Sequence, residues 1–93
     1  MIVRIDKSFE KDVERIKDRN ILKKIANFIV DVKDVDKLSK IKNIKKLKGF
    51  PKGYRIRLGD YRIGLIVEGG TVDFVRFLHR KDIYRYFPSD YSG

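Results

Sequence analysis

The sequence predicts an α+β fold, in which a helix hairpin packs on one face of a small antiparallel β-sheet. Apolar residues recur at helical spacing in residues 9–32, which indicates two amphipathic helices. Residues 54–78 instead alternate between apolar and polar side chains and contain short glycine-bearing links, which is typical of consecutive hairpin strands. The 93 residues fit one domain spanning residues 1–93, since domains of about 50–150 residues are the common size.

The first half of the chain supplies one predicted strand and both helices. Residues 1–6 alternate as a short strand, and Ser8 is the expected N-cap of a first helix whose apolar stripe begins at Phe9. Asn20 is the expected cap of a second helix over residues 21–33. Because the link between the helices is very short, we expect them to form an antiparallel hairpin.

The second half supplies the rest of the sheet. A polar connector leads to Ile44 and Leu47, which can anchor the start of a strand. The order is then β-α-α-β-β-β plus a short C-terminal helix that Pro88 stops. We expect the first strand at one edge of the sheet and the face opposite the helices to be open. The three consecutive strands are predicted at Tyr54–Leu58, Tyr61–Val67 and Thr71–Leu78.

Basic charge is concentrated in one part of the sequence. The chain has 23 Lys and Arg against 13 Asp and Glu, which gives a net charge of +10. Nine basic residues and no acidic residue lie between Lys37 and Gly59. A thermophile-type surface would mix the two signs, so the segregation predicts a polyanionic partner such as nucleic acid or an acidic protein.

Composition excludes several kinds of protein. With no cysteine and one histidine, the chain has neither disulfides nor thiolate metal sites, and no metal or other cofactor is expected. No apolar run approaches the ~18 residues that cross a bilayer, and the N-terminus lacks the pattern of a signal peptide. We therefore expect a cytoplasmic protein that has no membrane partner.

Three motifs occur in the order of a known family. Residues 46–51 (KLKGFP) followed by 54–58 (YRIRL) resemble the pattern K-L-x-G-x-P, then Y-[KR]-[IV]-[KR]-L, of the RelE/ParE toxin superfamily. Residues 60–63 (DYRI) resemble its G/D-Y-R-[IVL], and residues 77–84 (FLHRKDIY) resemble its ending H-R-K-D-[IV]-Y. The similarity extends over essentially the whole chain, and it implies a RelE-like fold.

The RelE branch is favoured because the sequence keeps its sheet arginines and lysines and its C-terminal arginine and tyrosine. This resemblance implies the toxin of a type II toxin–antitoxin system, a metal-independent endoribonuclease that cuts messenger RNA on the ribosome. It also implies an acidic RelB-type antitoxin as partner, in a heterotetramer or larger complex. Two alternatives stay open: a ParE-type inhibitor of DNA gyrase, and an RNA-binding module on the same fold that cleaves nothing.

In the implied chemistry, the RNA 2′-hydroxyl attacks the adjacent phosphorus. Arginine suits the charge that develops there, because its planar fork grips two phosphate oxygens and stays ionised. Arg62 is the first candidate, since it lies inside an apolar strand on the same side as Gly64, where the missing side chain leaves room for RNA. A tyrosine is the candidate for proton transfer or base stacking, with Tyr84 narrowly favoured. The catalytic candidates are Arg62, Arg80, Tyr84 and Tyr86.

The remaining cations are candidates for RNA binding rather than chemistry. Arg55 and Arg57 share the outward parity of their strand. Histidine is the side-chain type suited to proton transfer near neutral pH, which makes His79 a candidate, although a lone histidine at a strand end is more often structural. Phe87 and Tyr91 are assigned to packing or to a disordered tail. The RNA-binding candidates are Arg55, Arg57, Lys45, Lys46, Lys48, Lys52 and His79.

Overall fold

The computed structural model describes residues 1–88, in which two long helices pack on one face of a five-stranded mixed sheet. The α+β fold and the order of its elements are confirmed, with one additional short strand where a strand start was expected. Within these residues, no helix is long and apolar enough to cross a membrane. The elements are β1 (Ile2–Ile5), α1 (Lys7–Glu14), α2 (Arg19–Asp34), β2 (Ile44–Lys46), β3 (Gly53–Leu58), β4 (Tyr61–Glu68), β5 (Thr71–His79) and α3 (Ile83–Tyr86).

The strands lie in the order β1-β5-β4-β3-β2. β2 to β5 pair antiparallel, as predicted, and two-residue turns join β3 to β4 and β4 to β5. β1 lies at one edge, also as predicted, but it pairs parallel to β5. The sheet is therefore mixed rather than wholly antiparallel, because both helices separate β1 from the other strands and parallel pairing requires such a long connection.

The main core lies between the helices and one face of the sheet. Ile63 and Leu65 of β4 are fully buried there, beside Phe74 of β5. The ring of Phe9 from α1 meets the ring of Phe74 edge-on, with centroids 5.4 Å apart. The apolar residues that alternate along β3 and β4 all pack in this core or against it: Tyr54, Ile56, Leu58, Tyr61, Ile63, Leu65 and Val67.

β5 contains a bulge that changes which residues face the helices. Leu65 pairs with Phe74 and Gly64 pairs with Arg76, so Val75 is an extra residue between two paired positions. Phe74 faces the helices before the bulge, and Phe77 faces them after it. Side chains at even positions after Val75, such as Arg76, consequently belong to the opposite side of the sheet.

The N-caps of both long helices differ from the predicted ones. For α1 the reason is a tertiary hydrogen bond that Ser8 makes instead of capping the helix. The Oγ atom of Ser8 donates to the carbonyl oxygen of Val75 at 2.6 Å, and α1 begins after Asp6 instead. α2 begins after Asp18, whose carboxylate accepts from the backbone N–H of Asn20 at 2.8 Å. Asn20 therefore lies in the first turn of α2 and is not its cap.

The sheet face opposite the long helices is partly covered, contrary to the expectation that it is open. Ile66 and Val75 of this face are buried beneath Ile83 and Phe87, which follow β5 in the chain. A Cβ atom at Gly64 would lie 2.7 Å from two atoms of the Phe87 ring. The space expected beside Gly64 for RNA is thus filled by Phe87, because exposed Ile66 and Val75 would be unfavourable in water. Tyr91 lies outside the described residues.

Candidate functional site

Three arginines share the uncovered part of this face, next to the turn between β3 and β4. Arg55 and Arg57 lie two residues apart in β3 and therefore share one face of the sheet. Arg57 pairs directly with Arg62 of β4. Side chains at directly paired positions have Cβ atoms only about 5 Å apart, and like charges placed there destabilise a sheet. A bound anion would relieve this repulsion, so the pairing indicates a site for negative charge.

The segment after β5 brings two further groups to the same place. The backbone N–H of Arg80 donates to the carbonyl oxygen of Asp60 at 2.7 Å, which ties this segment to the turn between β3 and β4. Tyr84 follows in α3, with 58% of its surface exposed. The site therefore combines residues of β3 and β4 with residues that follow β5.

Arg62 lies at the electrostatic centre of this cluster. Partial burial lowers the pKa of Arg62, and the positive charges of Arg55, Arg57 and Arg80 lower it further. The hydroxyl group of Tyr84 acts in the opposite direction on the same pKa. Four of the sequence-predicted residues thus lie close enough to Arg62 to influence its pKa: Arg55, Arg57, Arg80 and Tyr84. We name Arg55, Arg57, Arg62 and Arg80, together with Tyr84, the arginine cluster.

The cluster retains unused capacity to bind an anion. Nη1 of Arg62 donates to the carbonyl oxygens of Gly59 and Tyr61, at 3.0 and 2.9 Å, which fixes the direction of its guanidinium group. Nε of Arg55 is buried and has no hydrogen-bond partner among residues 1–88. Across these residues no carboxylate forms an ion pair with any of the four arginines. Because no described carboxylate neutralises these four arginines, a bound phosphate group would balance their charge.

The predicted lysines are distributed more widely than the arginines. Lys45 pairs with Arg55 across β2 and β3, so it adjoins the cluster. Lys46 and Lys48 are exposed at the β2 edge and in the turn that follows it. Lys52 forms an ion pair of 2.8 Å with Glu68, at the opposite end of β4 from Arg62 and about 20 Å along the strand. The structure therefore groups Lys45 with the arginines and separates Lys52 from them.

His79 and Tyr86 lie apart from Arg62. The ring of His79 packs edge-on against Tyr61, on the side of the sheet that faces the helices. Its Nδ1 atom accepts a hydrogen bond from the backbone N–H of Lys81 at 3.2 Å. The ring of Tyr86 lies beside the guanidinium group of Arg76, at 5.4 Å. Of the two candidate tyrosines, only Tyr84 influences the pKa of Arg62.

Sequence reasoning missed a buried ion pair between α1 and β5. Nε of Arg76 donates to Oδ2 of Asp12 at 2.7 Å, and its Nη2 atom donates to Oδ1 at 3.1 Å. Asp12 also accepts from the backbone N–H of Phe77 at 2.9 Å and is only 5% exposed. A signal was available, because Arg76 interrupts an apolar strand just as Arg62 does.

A family model and a curated relative match this chain over most of its length. The model described as "ParE toxin of type II toxin-antitoxin system, parDE" matches residues 3–84. Toxin RelE3 of Methanocaldococcus jannaschii is 45% identical over 89 residues, which is 95% of this chain and 100% of the relative. Both matches include β3, β4 and β5, which carry most of the arginine cluster.

Solved structures agree with these sequence matches and confirm the RelE-like fold. A chain of the RelB–RelE antitoxin–toxin complex from Methanococcus jannaschii superposes with a TM-score of 0.79 at 42% identity, covering 91% of this chain and 99% of that one. A chain of the archaeal RelE–RelB complex from Pyrococcus horikoshii OT3 gives a TM-score of 0.71 at 21% identity, covering 88% and 97%, and supports the fold alone. The chain belongs to the RelE/ParE superfamily of type II toxin–antitoxin toxins and is of the RelE type.

Proposed function

We propose that this toxin inhibits translation as an endoribonuclease that cleaves messenger RNA on the ribosome. The observation that carries the proposal is the convergence of four arginines and one exposed tyrosine on one side of the sheet, around Arg62. Their charge and their N–H donors fit a phosphodiester. They lie at the border of the apolar cover that Ile83 and Phe87 form on this face, which leaves the site accessible to RNA. The nucleophile in this proposal is the 2′-hydroxyl of the RNA itself.

The proposed step forms one bond and breaks one. The 2′-oxygen loses its proton, bonds to the adjacent phosphorus and displaces the 5′-oxygen, which takes up a proton as it leaves. The products are a 2′,3′-cyclic phosphate and a free 5′-hydroxyl. In this proposal Arg62 and Arg80 hold the non-bridging oxygens, where negative charge increases in the transition state. Stabilising that charge is the main contribution that this chain can make.

Tyr84 is the candidate for proton transfer. Its side chain is exposed and lies near Arg62, so RNA can reach it. A tyrosine hydroxyl can give or take up a proton when it is positioned at the reacting group. Without a second strong base in the cluster, the intrinsic rate would be low. We propose that the ribosome supplies the remaining catalytic power by holding the message in line for attack.

The wider basic surface has a proposed role in binding. Lys45, Lys46 and Lys48 extend from the cluster along the β2 edge and would contact ribosomal RNA. An antitoxin is present in the RelB–RelE complex of the archaeal relative. An acidic antitoxin would compete for this basic surface by charge complementarity. We propose such a partner for this toxin, in a heterotetramer or larger complex in the cytoplasm.

A gyrase-directed toxin is the second candidate, because the description of the matching family model names ParE. That activity has no obvious need for a free phosphodiester-binding cluster around Arg62. It predicts DNA damage in intoxicated cells and intact messages. A non-catalytic RNA-binding module predicts salt-sensitive RNA binding without cleavage.

Brief expression in cells, followed by mapping of new 5′ ends on messages, separates these functions. The variants to compare are Arg62→Ala and, as a matched control, Arg19→Ala, which removes an exposed arginine at the start of α2. We expect new ends within translated regions for the wild type and for Arg19→Ala, and none for Arg62→Ala. Circular dichroism must show that Arg62→Ala is folded. Cleavage that persists in Arg62→Ala would contradict the assignment of the site.

A further inference from the structure

Tyr84 depends on a very short helix for its position. α3 has only four residues, and a helix of this length is not stable in isolation. Its inner side is anchored by Ile83 and by Phe87, which are 0% and 1% exposed. These apolar anchors hold α3 against the sheet, but Tyr84 itself is on the exposed side. Something else must fix the outer side of α3 if Tyr84 is to stay beside Arg62.

Arg76 is held rigidly at the point where α3 passes over β5. Its guanidinium group donates two hydrogen bonds to Asp12, at 2.7 and 3.1 Å, which is the bidentate geometry that orients an arginine most strongly. Asp12 is in turn fixed by the backbone N–H of Phe77 at 2.9 Å. The carboxylate is nearly inaccessible to water, so this orientation is not loosened by solvent.

The same guanidinium group contacts the last residue of α3. The central carbon of the Arg76 guanidinium lies 5.4 Å from the centre of the Tyr86 ring, within the range of a cation–π contact. The ring of Tyr86 is 40% exposed, so this contact lies at the surface and fixes the outer side of the helix. A continuous chain of contacts therefore runs from Asp12 in α1, through Arg76, to the helix that carries Tyr84.

We propose that Arg76 is a positioning residue, which through the ring of Tyr86 holds Tyr84 at the arginine cluster. The inference rests on the cleavage proposed above and assigns different roles to the two tyrosines. Tyr84 contributes its hydroxyl group beside Arg62, whereas Tyr86 contributes the face of its ring to Arg76. Asp12 acts one step further away, because it fixes the direction of Arg76.

Variants of Tyr86 separate a ring contact from hydroxyl chemistry. Single-turnover cleavage of a ribosome-bound message gives the rate constant of the chemical step, and ribosome binding is measured separately. We expect Tyr86→Leu to lower the rate constant by about 10- to 100-fold, because small misplacements of a reacting group have effects of this size. We expect Tyr86→Phe to restore it to within about threefold of the wild type, since a phenylalanine ring also binds a cation. Loss of cleavage in Tyr86→Phe equal to that in Tyr86→Leu would overturn the assignment.

A double-mutant cycle tests whether Arg76 acts through Tyr84. Arg76→Lys keeps the positive charge opposite Asp12 but loses the planar fork, so the protein retains its buried pair and its ability to fold. We expect Arg76→Lys to slow cleavage about tenfold in the wild type and less than about twofold when Tyr84→Phe is already present. Equal slowing in the two backgrounds would show that Arg76 does not act through Tyr84 and would overturn the proposal.

Hydrogen exchange tests the same contacts without any cleavage. The backbone N–H of Phe87 donates to Ile83 at 2.8 Å and that of Arg85 donates to Asp82 at 3.0 Å, so both report on α3. We expect Tyr86→Leu to speed exchange at these two amides by about 3- to 30-fold and to leave amides of β4 unchanged. Unchanged exchange at α3 would overturn the positioning role. A wild type that cleaves no message, together with faster amide exchange in α3 of Tyr86→Leu, would contradict the proposed cleavage but support the contact between Arg76 and Tyr86.

Discussion

The two faces of the sheet are built in different ways. The face toward the long helices is mostly apolar, and Ile63, Leu65 and Phe74 are fully buried there. The opposite face is divided into two parts. At one end Ile66 is buried under the apolar cover of Ile83 and Phe87, and at the other end Arg62 lies among other arginines. The first face stabilises the fold, whereas half of the second carries repulsive charge that no described contact neutralises.

Gly64 marks the boundary between the two halves of the second face. It lies between Arg62 and Ile66 in β4, and the ring of Phe87 packs directly on it. Gly64 pairs directly with Arg55, so the apolar cover ends beside the arginine cluster. This proximity explains how a domain of 93 residues can keep a stable core and an open cationic site on a single sheet.

The largest expected effect is on the helix-facing side. Phe74→Ala removes a fully buried ring that Phe9 and Phe28 contact edge-on. We expect the free energy of unfolding to fall by about 3–5 kcal/mol, which is typical when a buried aromatic residue is truncated. Urea unfolding followed by circular dichroism measures this change. A loss below about 1 kcal/mol would mean that this face is not the main source of stability.

The next largest effect is expected at the boundary. Gly64→Ala places a Cβ atom 2.7–2.9 Å from three atoms of the Phe87 ring, so the ring must move. We expect a loss of about 1–3 kcal/mol in the free energy of unfolding, as for other overpacked sites. Gly70→Ala is the matched control, because no atom lies within 4 Å of the Cβ position there. Equal stability of the two variants would contradict the close packing of Phe87 on the sheet.

A smaller, pH-dependent effect is expected at the apolar end of the second face. Burial, a hydrogen bond to Asp6 and the charge of Asp6 together raise the pKa of Asp73 from 3.8 to about 7, while the charge of Arg4 opposes this shift. Between these values the folded protein holds a proton that the unfolded chain has lost. The contribution of Asp73 to stability is therefore complete below about pH 4 and disappears as the pH rises through 7.

Unfolding of the wild type and of Asp73→Asn across this pH range measures the contribution. Because Asp73 is partly exposed and screened by solvent, we expect the stability difference between the two proteins to change by on the order of 1 kcal/mol. The wild type should lose stability relative to Asp73→Asn as the pH rises. A relative gain in the same range would show that the carboxyl group is not protonated in the folded protein.

The smallest expected effect is at the cationic end, and its sign is opposite. Arg57→Gln removes one of two like charges that pair directly across β3 and β4. We expect the free energy of unfolding to rise by about 0.2–1 kcal/mol, while RNA binding weakens and its salt dependence decreases. Chemical unfolding and filter binding at several salt concentrations measure the two quantities. A destabilised variant would mean that Arg57 serves the fold rather than the site.

Local patterns in the sequence predicted the features that depend on neighbouring residues. The alternation of Arg62 with Ile63 and Leu65 is a property of one strand, so it assigned both faces of β4 before any contact was known. The turns at Gly59 and at Gly69 followed from their glycines, each of which has φ of +61°. The positions of Arg55, Arg57 and Arg62 were predictable for the same reason, because these members of the cluster lie on short hairpin strands.

Long-range contacts were not predictable from such patterns. The bulge at Val75 lies where β1 ends and where Ser8 of α1 donates to the carbonyl oxygen of Val75, and no local signal in the sequence reports this contact. Asp12 of the same helix is buried and pairs with Arg76. The cover formed by Phe87 likewise depends on which apolar residue reaches the sheet after a turn. We propose that these two contacts decide how open the site is and where Tyr84 lies.

The most direct test of the central claim uses purified components. Ribosomes carrying a defined message are mixed with the wild type, Arg62→Ala or Arg19→Ala, and the RNA ends are identified by their chemistry. We predict cleavage with 2′,3′-cyclic phosphate ends for the wild type and for Arg19→Ala, and a rate reduced at least about 100-fold for folded Arg62→Ala, as for loss of a group that stabilises transition-state charge. Wild-type cleavage rates in folded Arg62→Ala would contradict the account.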